Sequence, residues 1–288
     1  MKQPAIKPLV SLETVTKFST GICAGLGLTI IIGIVCLTLL KGLGRLNLDF
    51  LLDTTVSGAG EGGIGYQIVG TLILVFTAVA IVTPLSTAIA IVHNTTPSLR
   101  LKGMMTATLQ VMNASPSILF GILGFAFFIK MCGWEKTWFS GGVVLAMMIL
   151  PTVTISLTQR MSTIPEGYIE TAQSLGLNPD QLLKSVTLPY SLGGLLTGIV
   201  MGISRAAGET APIMFVAVVF SGAGIPNSLT DSPVLALPYH IFNLVQDVFG
   251  EHAMSTAWAS AFVLITFVFM CSLLMVPFRS RSHEEAKQ

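Results

Sequence analysis

Residues 161–189 read MSTIPEGYIETAQSLGLNPDQLLKSVTLP and connect two long apolar runs. Pro165 can open a helix, because the first turn of a helix has N–H groups that need no intrahelical partner. Gly176 is placed to end this helix in the left-handed conformation that glycine adopts readily. The apolar residues between them recur at helical spacing and predict one apolar stripe. These residues are Tyr168, Ile169, Ala172 and Leu175.

A second short helix is predicted directly after the glycine. Asn178 has the position of an N-cap, and Pro179 follows at the first helical position. We expect this helix to run through residues 181–186 and to stop near Leu188-Pro189. The segment therefore predicts two short helices at an angle. A short apolar helix in a loop suits docking into a groove on another protein, or resting on lipid, and the pattern alone favours neither.

The apolar runs identify the chain as a membrane protein. Of its 288 residues, 52% are hydrophobic and only 10% are charged, whereas a soluble domain carries about 25% charged residues. Six runs approach the roughly 20 residues that a helix needs to cross a bilayer. They span approximately residues 18–40, 67–92, 104–130, 139–160, 190–221 and 257–277. We therefore predict an all-α membrane protein, a bundle of six transmembrane helices.

The chain divides into one transmembrane domain and two short polar ends. The domain spans residues 18–278, between an N-terminal arm at 1–17 and a tail at 279–288. We expect a short helix on the outer surface around residues 234–248. The net charge of +1 gives no indication of nucleic-acid binding. The four cysteines show no C-x-x-C spacing, and we expect buried small hydrophobes rather than disulfides or metal ligands.

The basic residues predict the orientation, because cytoplasmic connections carry an excess of Lys and Arg. With the N-terminus inside, ten basic residues lie in inner segments and four in outer segments. The inner residues are Lys2, Lys7, Lys17, Arg100, Lys102, Arg160, Lys184, Arg279, Arg281 and Lys287. The outer residues are Lys41, Arg45, Lys130 and Lys136. We therefore expect both termini in the cytoplasm and the loop 161–189 on the inner face.

Two ionisable residues, Arg205 and Glu209, lie inside the fifth run. A charged side chain in mid-membrane costs at least ~2.5–3.5 kcal/mol on insertion scales, so its presence needs a reason. The i, i+4 spacing predicts that both lie on one helical face and can pair. One interpretation is that the pair only fixes helix packing. The other is that Arg205 meets a travelling anion, because guanidinium offers a flat fork of donors suited to phosphate.

The third run carries a proline with polar neighbours near its middle. Pro116 frees a backbone carbonyl in a hydrocarbon setting, and nearby hydroxyl groups can satisfy it. The segment predicts a kinked hinge or, alternatively, a polar patch that lines a pore. The polar neighbours are Asn113, Ser115 and Ser117.

The loop 161–189 resembles the EAA loop of the inner-membrane permeases of bacterial ABC importers. The matching residues run from Glu170 through Ala172 to Gly176, and Leu188-Pro189 closes the motif. Thr171 stands where the family has its middle alanine. By this resemblance, the loop is the element that couples the permease to an ATPase. The residues implied in coupling are Glu166, Tyr168, Glu170, Thr171, Ala172, Leu175, Gly176 and Pro189.

Residues 194–212, GLLTGIVMGISRAAGETAP, resemble the fifth helix of phosphate permeases of the PstA type. Ser204 stands where many members have alanine, and the segment 113–121 resembles that family's third helix. The likeness extends over about residues 18–278. It implies an anion pathway through the membrane. The residues implied in that pathway are Arg205, Glu209, Ser204, Thr210, Asn113, Ser115 and Ser117.

The resemblance implies half of the pore of an ATP-driven inorganic phosphate importer in the bacterial inner membrane. Its implied partners are a second permease (PstC-like), an ATPase dimer (PstB-like) and an extracytoplasmic phosphate-binding protein (PstS-like). No phosphate-binding loop of the form G-x-x-x-x-G-K-[ST] occurs in the chain. We therefore expect a transport subunit that is not an enzyme and binds no cofactor, with ATP and Mg²⁺ on the ATPase.

Three alternatives remain open from the sequence. In the first, the chain is a permease for sulfate, molybdate or phosphonate, because no residue in the sequence identifies the substrate directly. A stand-alone ion-coupled transporter would use Arg205 and Glu209 as its ion and anion sites. A signalling scaffold would report phosphate status to a cytoplasmic partner.

Overall fold

The structure is a computed structural model built of α-helices, and it describes residues 12–54, 62–246 and 251–284. The N-terminal half contains α1 (Leu12–Gly42), α2 (Leu48–Leu52), α3 (Gly65–Thr95), α4 (Leu99–Ala114), α5 (Ser117–Gly124) and α6 (Trp138–Ser162). The C-terminal half contains α7 (Glu166–Ser174), α8 (Pro179–Leu182), α9 (Leu188–Ala207), α10 (Ala211–Val216), α11 (Leu237–Gln246) and α12 (Glu251–Glu284). Residues 1–11 of the expected arm and 285–288 of the expected tail lie outside the described residues.

Within the described ranges, five helices are long and apolar enough to cross a membrane. They cover Val15–Arg45, Gly65–Thr95, Trp138–Ser162, Pro179–Ala207 and His252–Leu273. These correspond to the first, second, fourth, fifth and sixth predicted runs. The first helix begins at Leu12, inside the segment expected as a polar arm. A sixth span exists only if two bent helices, α4 and the segment 117–131, are taken together.

The third predicted run, residues 104–130, is broken into two helical segments rather than continuous. Helix α4 ends at Ala114, and the next helical segment turns from it by 96°. Proline disfavours the α conformation at the residue before it, and Ser115 is extended, at φ −68° and ψ 135°. Pro116 is extended as well, at ψ 135°. The expected hinge is therefore present, but it is a break between two helices rather than a kink in one.

Helix α6 forms the centre of the bundle, and it packs mainly against α3 and α9. Its buried side chains include Leu145, Met148 and Ile149. Helix α9 approaches closely because it presents glycine to α6. A Cβ atom at Gly198 would lie 2.9 Å from the Cα atom of Val153. Close contact between helix backbones therefore holds the fifth span against the fourth.

The predicted stop of the second short helix at Leu188-Pro189 is also wrong. Helix α8 continues through a π-helical turn, Leu183–Thr187, directly into α9. The proline ring at position 189 would clash with a carbonyl four residues earlier in a regular α-helix. The wider π turn relieves this clash, so α8 and the fifth span form one continuous helical segment.

The fifth span ends earlier than the predicted run 190–221. Gly208 caps α9, and the short helix α10 begins three residues later. The end of α10 and the segment after it are held to the start of α6 by backbone hydrogen bonds. The Thr137 N–H donates to the Val216 carbonyl at 2.9 Å, and the Trp138 N–H donates to the Ser232 carbonyl at 3.0 Å. These bonds fix the position of α10 relative to the core.

The short helix expected around 234–248 runs from Leu237 to Gln246, and residues 247 and 248 lie outside the described part. It is anchored to the bundle by the Leu237 N–H, which donates to the Thr71 hydroxyl at 2.9 Å. The expectation of buried cysteines is wrong on the isolated chain, where Cys271 is only half-buried. Cys23, Cys36 and Cys132 are exposed on the isolated chain.

Candidate anion site and coupling element

Arg205 lies in the last turn of α9, where the membrane-spanning helix ends. Its Nη1 donates to the Oδ1 of Asn113 at 3.1 Å. Its Nε lies 3.8 Å from the Oε1 of Glu209. The side chains of Arg205 and Glu209 are 29% and 20% exposed on the isolated chain. An arginine, a carboxylate and an amide are thus held together at one partly accessible point.

The site forms because two helix breaks meet. One break separates α4 from α5, and the other separates α9 from α10. The elements beyond the breaks touch as well, since a Cβ atom at Gly121 would lie 2.7 Å from the Cα atom of Pro212. Only glycine allows α5 to approach α10 this closely. Polar residues at the ends of α4 and α9 therefore face each other across the same junction.

The pairing of Arg205 and Glu209 is present, but the expected shared helical face is not. Helix α9 ends at Ala207, and the Gly208 N–H donates to the Arg205 carbonyl at 3.3 Å. Glu209 therefore lies beyond the helix, in the short connection to α10. A guanidinium at a helix C-terminus is also favoured by the partial negative charge there, so the arginine has two sources of stabilisation.

The remaining polar residues of the expected pathway contribute less directly. The Ser204 hydroxyl donates to the Val200 carbonyl at 3.0 Å, and the Ser115 hydroxyl donates to the Val111 carbonyl at 2.8 Å. Both hydroxyls thus satisfy their own helices. Thr210 occupies the N-cap position of α10 without a side-chain capping bond, and Ser117 begins α5. The structure brings together Arg205, Asn113 and Glu209 by direct contact.

Lys136 contacts the C-terminal end of α10, and no local sequence pattern predicts this contact. Its Nζ donates to the carbonyls of Met214 and Val218, at 2.8 and 3.1 Å. It therefore satisfies carbonyls at the C-terminal end of α10, the end away from Glu209. Burial lowers the pKa of Lys136 from its usual value. Its partners are more than 70 residues away in sequence, so only the folded chain reveals the contact.

The segment expected to couple to an ATPase begins with α7, and α7 ends in a complete Schellman motif. Gly176 has φ +80°. The Gly176 N–H donates to the Gln173 carbonyl at 2.9 Å, and the Leu177 N–H donates to the Ala172 carbonyl at 3.1 Å. This is the hydrogen-bond pair expected for glycine at C′. The prediction that Gly176 ends the helix in the left-handed conformation is confirmed.

The start of the second helix is confirmed too. The Asn178 side chain accepts a hydrogen bond from the Gln181 N–H at 2.9 Å, and the Gln181 side chain accepts one from the Asn178 N–H at 3.0 Å. This is a reciprocal capping box with Pro179 at the first helical position. The joint between α7 and α8 is therefore fixed by local hydrogen bonds on both sides of Gly176.

The predicted single apolar stripe on α7 is divided in the structure. Ala172 is buried and Ile169 half-buried, whereas Tyr168 and Leu175 are exposed, Leu175 at 75%. Two apolar side chains thus point away from the bundle. The other residues implied in coupling are exposed as well. They are Glu166, Glu170, Thr171, Gly176 and Pro189.

Aromatic contacts connect α7 to the membrane-spanning helices. The rings of Tyr168 and Tyr190 lie 6.3 Å apart between centroids. The Arg160 guanidinium lies 4.5 Å above the Tyr190 ring, at cation–π distance. A displacement of α7 would therefore reach both α6 and α9. No cluster of His, Cys, Asp or Glu that suits a metal ion occurs in the described ranges.

Comparison with known proteins identifies a family to which this architecture belongs. Residues 83–282 match the family described as the binding-protein-dependent transport system inner membrane component. The chain is 32% identical to the probable phosphate transport system permease protein PstA of Methanocaldococcus jannaschii, over 79% of this chain and 78% of the relative. It is 28% identical to the phosphate transport system permease protein PstA of Xylella fastidiosa, over 81% and 80% of the two chains.

A solved structure shows the same fold. The MetNI methionine ABC transporter, described as inward facing, aligns with a TM-score of 0.58 at 16% identity, over 76% of this chain and 94% of that chain. The fold is therefore that of an ABC importer permease, and the chain is a transport subunit rather than an enzyme. It belongs to the family of binding-protein-dependent transport system inner membrane components. It is a multi-pass membrane protein, and its family works with an ATPase and a substrate-binding protein.

Proposed function

We propose that this chain forms half of the pore of an ATP-driven importer for inorganic phosphate. The two relatives named above are phosphate transport permeases by name, and each aligns with about four fifths of this chain. The single observation that carries the proposal is the contact of Arg205 with Asn113 and Glu209 at the meeting point of two broken helices. The site is partly open on the isolated chain, which leaves room for a second permease subunit to complete it.

The site suits a transported anion because its charge is balanced. The Arg205 guanidinium presents planar donors that match phosphate oxygens. Glu209, at 3.8 Å, competes for the same guanidinium. A conducting site must bind its ion and also release it, and the carboxylate weakens binding enough for release. Asn113 holds the guanidinium in place from α4. Ser204, Thr210, Ser115 and Ser117 lie in the adjoining turns and complete the proposed pathway.

The remaining parts of the proposal concern the assembly. Both termini lie in the cytoplasm of a bacterial cell, as the ten-to-four distribution of basic residues favours. The permease is in the inner membrane, and α7 docks on a PstB-like ATPase dimer that holds ATP and Mg²⁺. A PstC-like permease supplies the other half of the pore, and a PstS-like protein delivers phosphate from outside. This chain itself binds no cofactor.

The central test is phosphate uptake by the reconstituted importer carrying Arg205→Gln. This change removes the charge but keeps a hydrogen-bonding amide. We expect uptake to fall at least tenfold, because hydrogen bonds to a charged group contribute about 1.5–3 kcal/mol each. Arg205→Lys keeps the charge without the planar fork, and we expect an intermediate rate. The measurement is the initial rate of labelled phosphate uptake into proteoliposomes that contain ATP.

A matched control is Arg100→Gln, which removes an exposed arginine at the start of α4. It should retain the wild-type rate. If Arg205→Gln transports phosphate within twofold of wild type, the guanidinium is not part of the pathway and the proposed role of the site is wrong.

A further inference from the structure

A cavity with several polar lining residues lies between α3, α4 and α6, separate from the Arg205 site. Its volume is about 250 Å³. Its polar lining comes from three helices and consists of His93, Thr106, Gln110, Thr158 and Gln159. None of the lining residues is acidic. A cavity rich in neutral hydrogen-bonding groups is unusual between membrane-spanning helices, where polar side chains mark ion and substrate pathways.

The helix α4 connects this cavity to the Arg205 site. Asn113, Gln110 and Thr106 are spaced three and four residues apart, so they share one face of the helix. Asn113 contacts Arg205, while Gln110 and Thr106 line the cavity. The separation from Asn113 to Thr106 is ~10 Å along the axis, at 1.5 Å per residue. Lys102 continues the same face one turn further, toward the end of α4 predicted to be cytoplasmic.

One hydroxyl group of the cavity lining lacks a partner. Most threonines in these helices donate to the carbonyl four residues earlier, as Thr154 does to Leu150 at 2.7 Å. The Oγ1 of Thr158 is buried and makes no hydrogen bond. A buried hydroxyl without a partner is destabilising, because it has lost its hydrogen bonds to water. In the second χ1 rotamer that threonine adopts in helices, this hydroxyl reaches an acceptor in the cavity, and the new hydrogen bond removes the cost.

We infer that this cavity is a second oxyanion station, which receives phosphate after it leaves Arg205 on the way to the cytoplasm. The inference rests on the proposed phosphate transport. Hydroxyl, amide and imidazole N–H groups donate to phosphate oxygens without a fixed positive charge. The station is therefore weak, as the last site of a conduction path must be. His93 and Thr106, whose side chains lie 3.1 Å apart, close the end of the cavity between α3 and α4.

The ligand is a phosphate oxyanion. It comes either from free phosphate or from the headgroup of a phospholipid. Line broadening of inorganic phosphate in ³¹P NMR detects weak exchange with the importer. We expect the Arg205→Gln importer to broaden the phosphate signal still, and the double variant Arg205→Gln/Gln110→Glu to lose this broadening. Both results should hold in a phosphate-free maltoside detergent and in lipid nanodiscs. Broadening in detergent alone would mean that lipid headgroups occupy the cavity, and it would overturn the transport role.

The functional test compares two threonines of α6 in reconstituted importer. Thr158→Val removes the unpartnered hydroxyl at nearly constant volume, and we expect phosphate uptake to fall about fivefold, with recovery in Thr158→Ser. Thr154→Val removes a satisfied hydroxyl one turn away and should transport at the wild-type rate. Gln110→Glu is a second variant at an exposed position that keeps the side-chain size, and its charge should lower uptake at least tenfold.

The outcomes separate this inference from the proposed function. Wild-type uptake in both Thr158→Val and Gln110→Glu, with uptake lost in Arg205→Gln, would reject the second station and leave phosphate transport intact. Wild-type uptake in Arg205→Gln would instead reject the proposed pathway. Equal losses in Thr154→Val and Thr158→Val would show a packing defect of α6 and would also overturn the station.

Discussion

At the scale of single residues, the charged pair in the fifth span shows what a sequence can and cannot foresee. The cost of a charge in lipid singled out Arg205 and Glu209, and their contact is present at 3.8 Å. The expected shared helix face was wrong, because Gly208 ends α9 between them. The contact with Asn113 was not foreseeable, since the two residues are 92 positions apart and meet only through tertiary packing.

His240 is a second residue whose environment only the fold reveals. It lies on α11, 6% exposed, with its ring 6.0 Å from that of Phe220. Neither ring nitrogen has a hydrogen-bond partner among the described residues. Burial accordingly lowers the pKa of His240 from 6.5 to about 4. The folded chain holds a neutral imidazole under conditions in which the unfolded chain would bind a proton.

This environment predicts a stability that depends on pH. Between pH 6.5 and pH 4 the unfolded state binds more protons at this position, so stability falls as the pH falls through this window. When the pH falls from 7.5 to 5, His240 lowers the free energy of unfolding by about 2 kcal/mol, at 1.36 kcal/mol per pH unit below 6.5. In thermal unfolding experiments, the purified importer with His240→Phe should therefore lose less stability on acidification than the wild type.

The matched control is His252→Phe, which replaces an exposed histidine at the start of α12. It should keep the wild-type response to pH. If His240→Phe and wild type lose the same stability between pH 7.5 and pH 5, the buried imidazole does not contribute to acid sensitivity.

At the scale of elements, local sequence signals predicted the short helices of the loop 161–189 but not how they connect to the fifth span. The proline, glycine and asparagine of the loop predicted α7 and the cap of α8, because these residues act through bonds to their nearest neighbours. The continuous passage from α8 into α9 was missed, since the π turn at Leu183–Thr187 removes the helix-breaking effect of Pro189. The 96° break after α4 exceeded the predicted kink because α5 packs on α10, a contact remote in sequence.

The joint at Gly176 leads to a prediction about coupling. Its φ of +80° is unfavourable for residues with a Cβ atom, whereas no atom lies within 4 Å of a Cβ built there. The effect of a substitution should therefore come from the backbone rather than from a clash. Gly176→Val, a β-branched change, should distort the joint at a cost of ~1–2 kcal/mol. We expect ATP hydrolysis to continue while phosphate uptake falls several-fold.

Asparagine is the matched substitution at this position, because it tolerates the left-handed conformation better than other side chains. Gly176→Asn should keep most of the coupling between ATP hydrolysis and uptake. Equal coupling ratios in Gly176→Val, Gly176→Asn and wild type would show that the left-handed joint does not transmit motion.

At the scale of the whole molecule, the chain has the character of an incomplete assembly. Only 6% of the most apolar window of the first span is buried, and α1 packs mainly against α12. Leu175 and Tyr168 face away from the bundle on α7. Arg205 and Glu209 are partly exposed on the isolated chain. Hydropathy predicted the five spanning helices and the apolar composition of the broken third run. Surfaces that contact lipid or other subunits are recognised only once the fold is known.

The central claim is that this chain conducts phosphate only as part of an ATP-driven assembly. Labelled phosphate uptake into proteoliposomes tests it most directly, with the purified chain alone compared with the chain reconstituted together with its permease partner, ATPase and binding protein. The account predicts uptake that requires ATP and every partner, and no uptake or counterflow by the chain alone. Phosphate counterflow by the isolated chain without ATP would contradict it and would identify a stand-alone transporter.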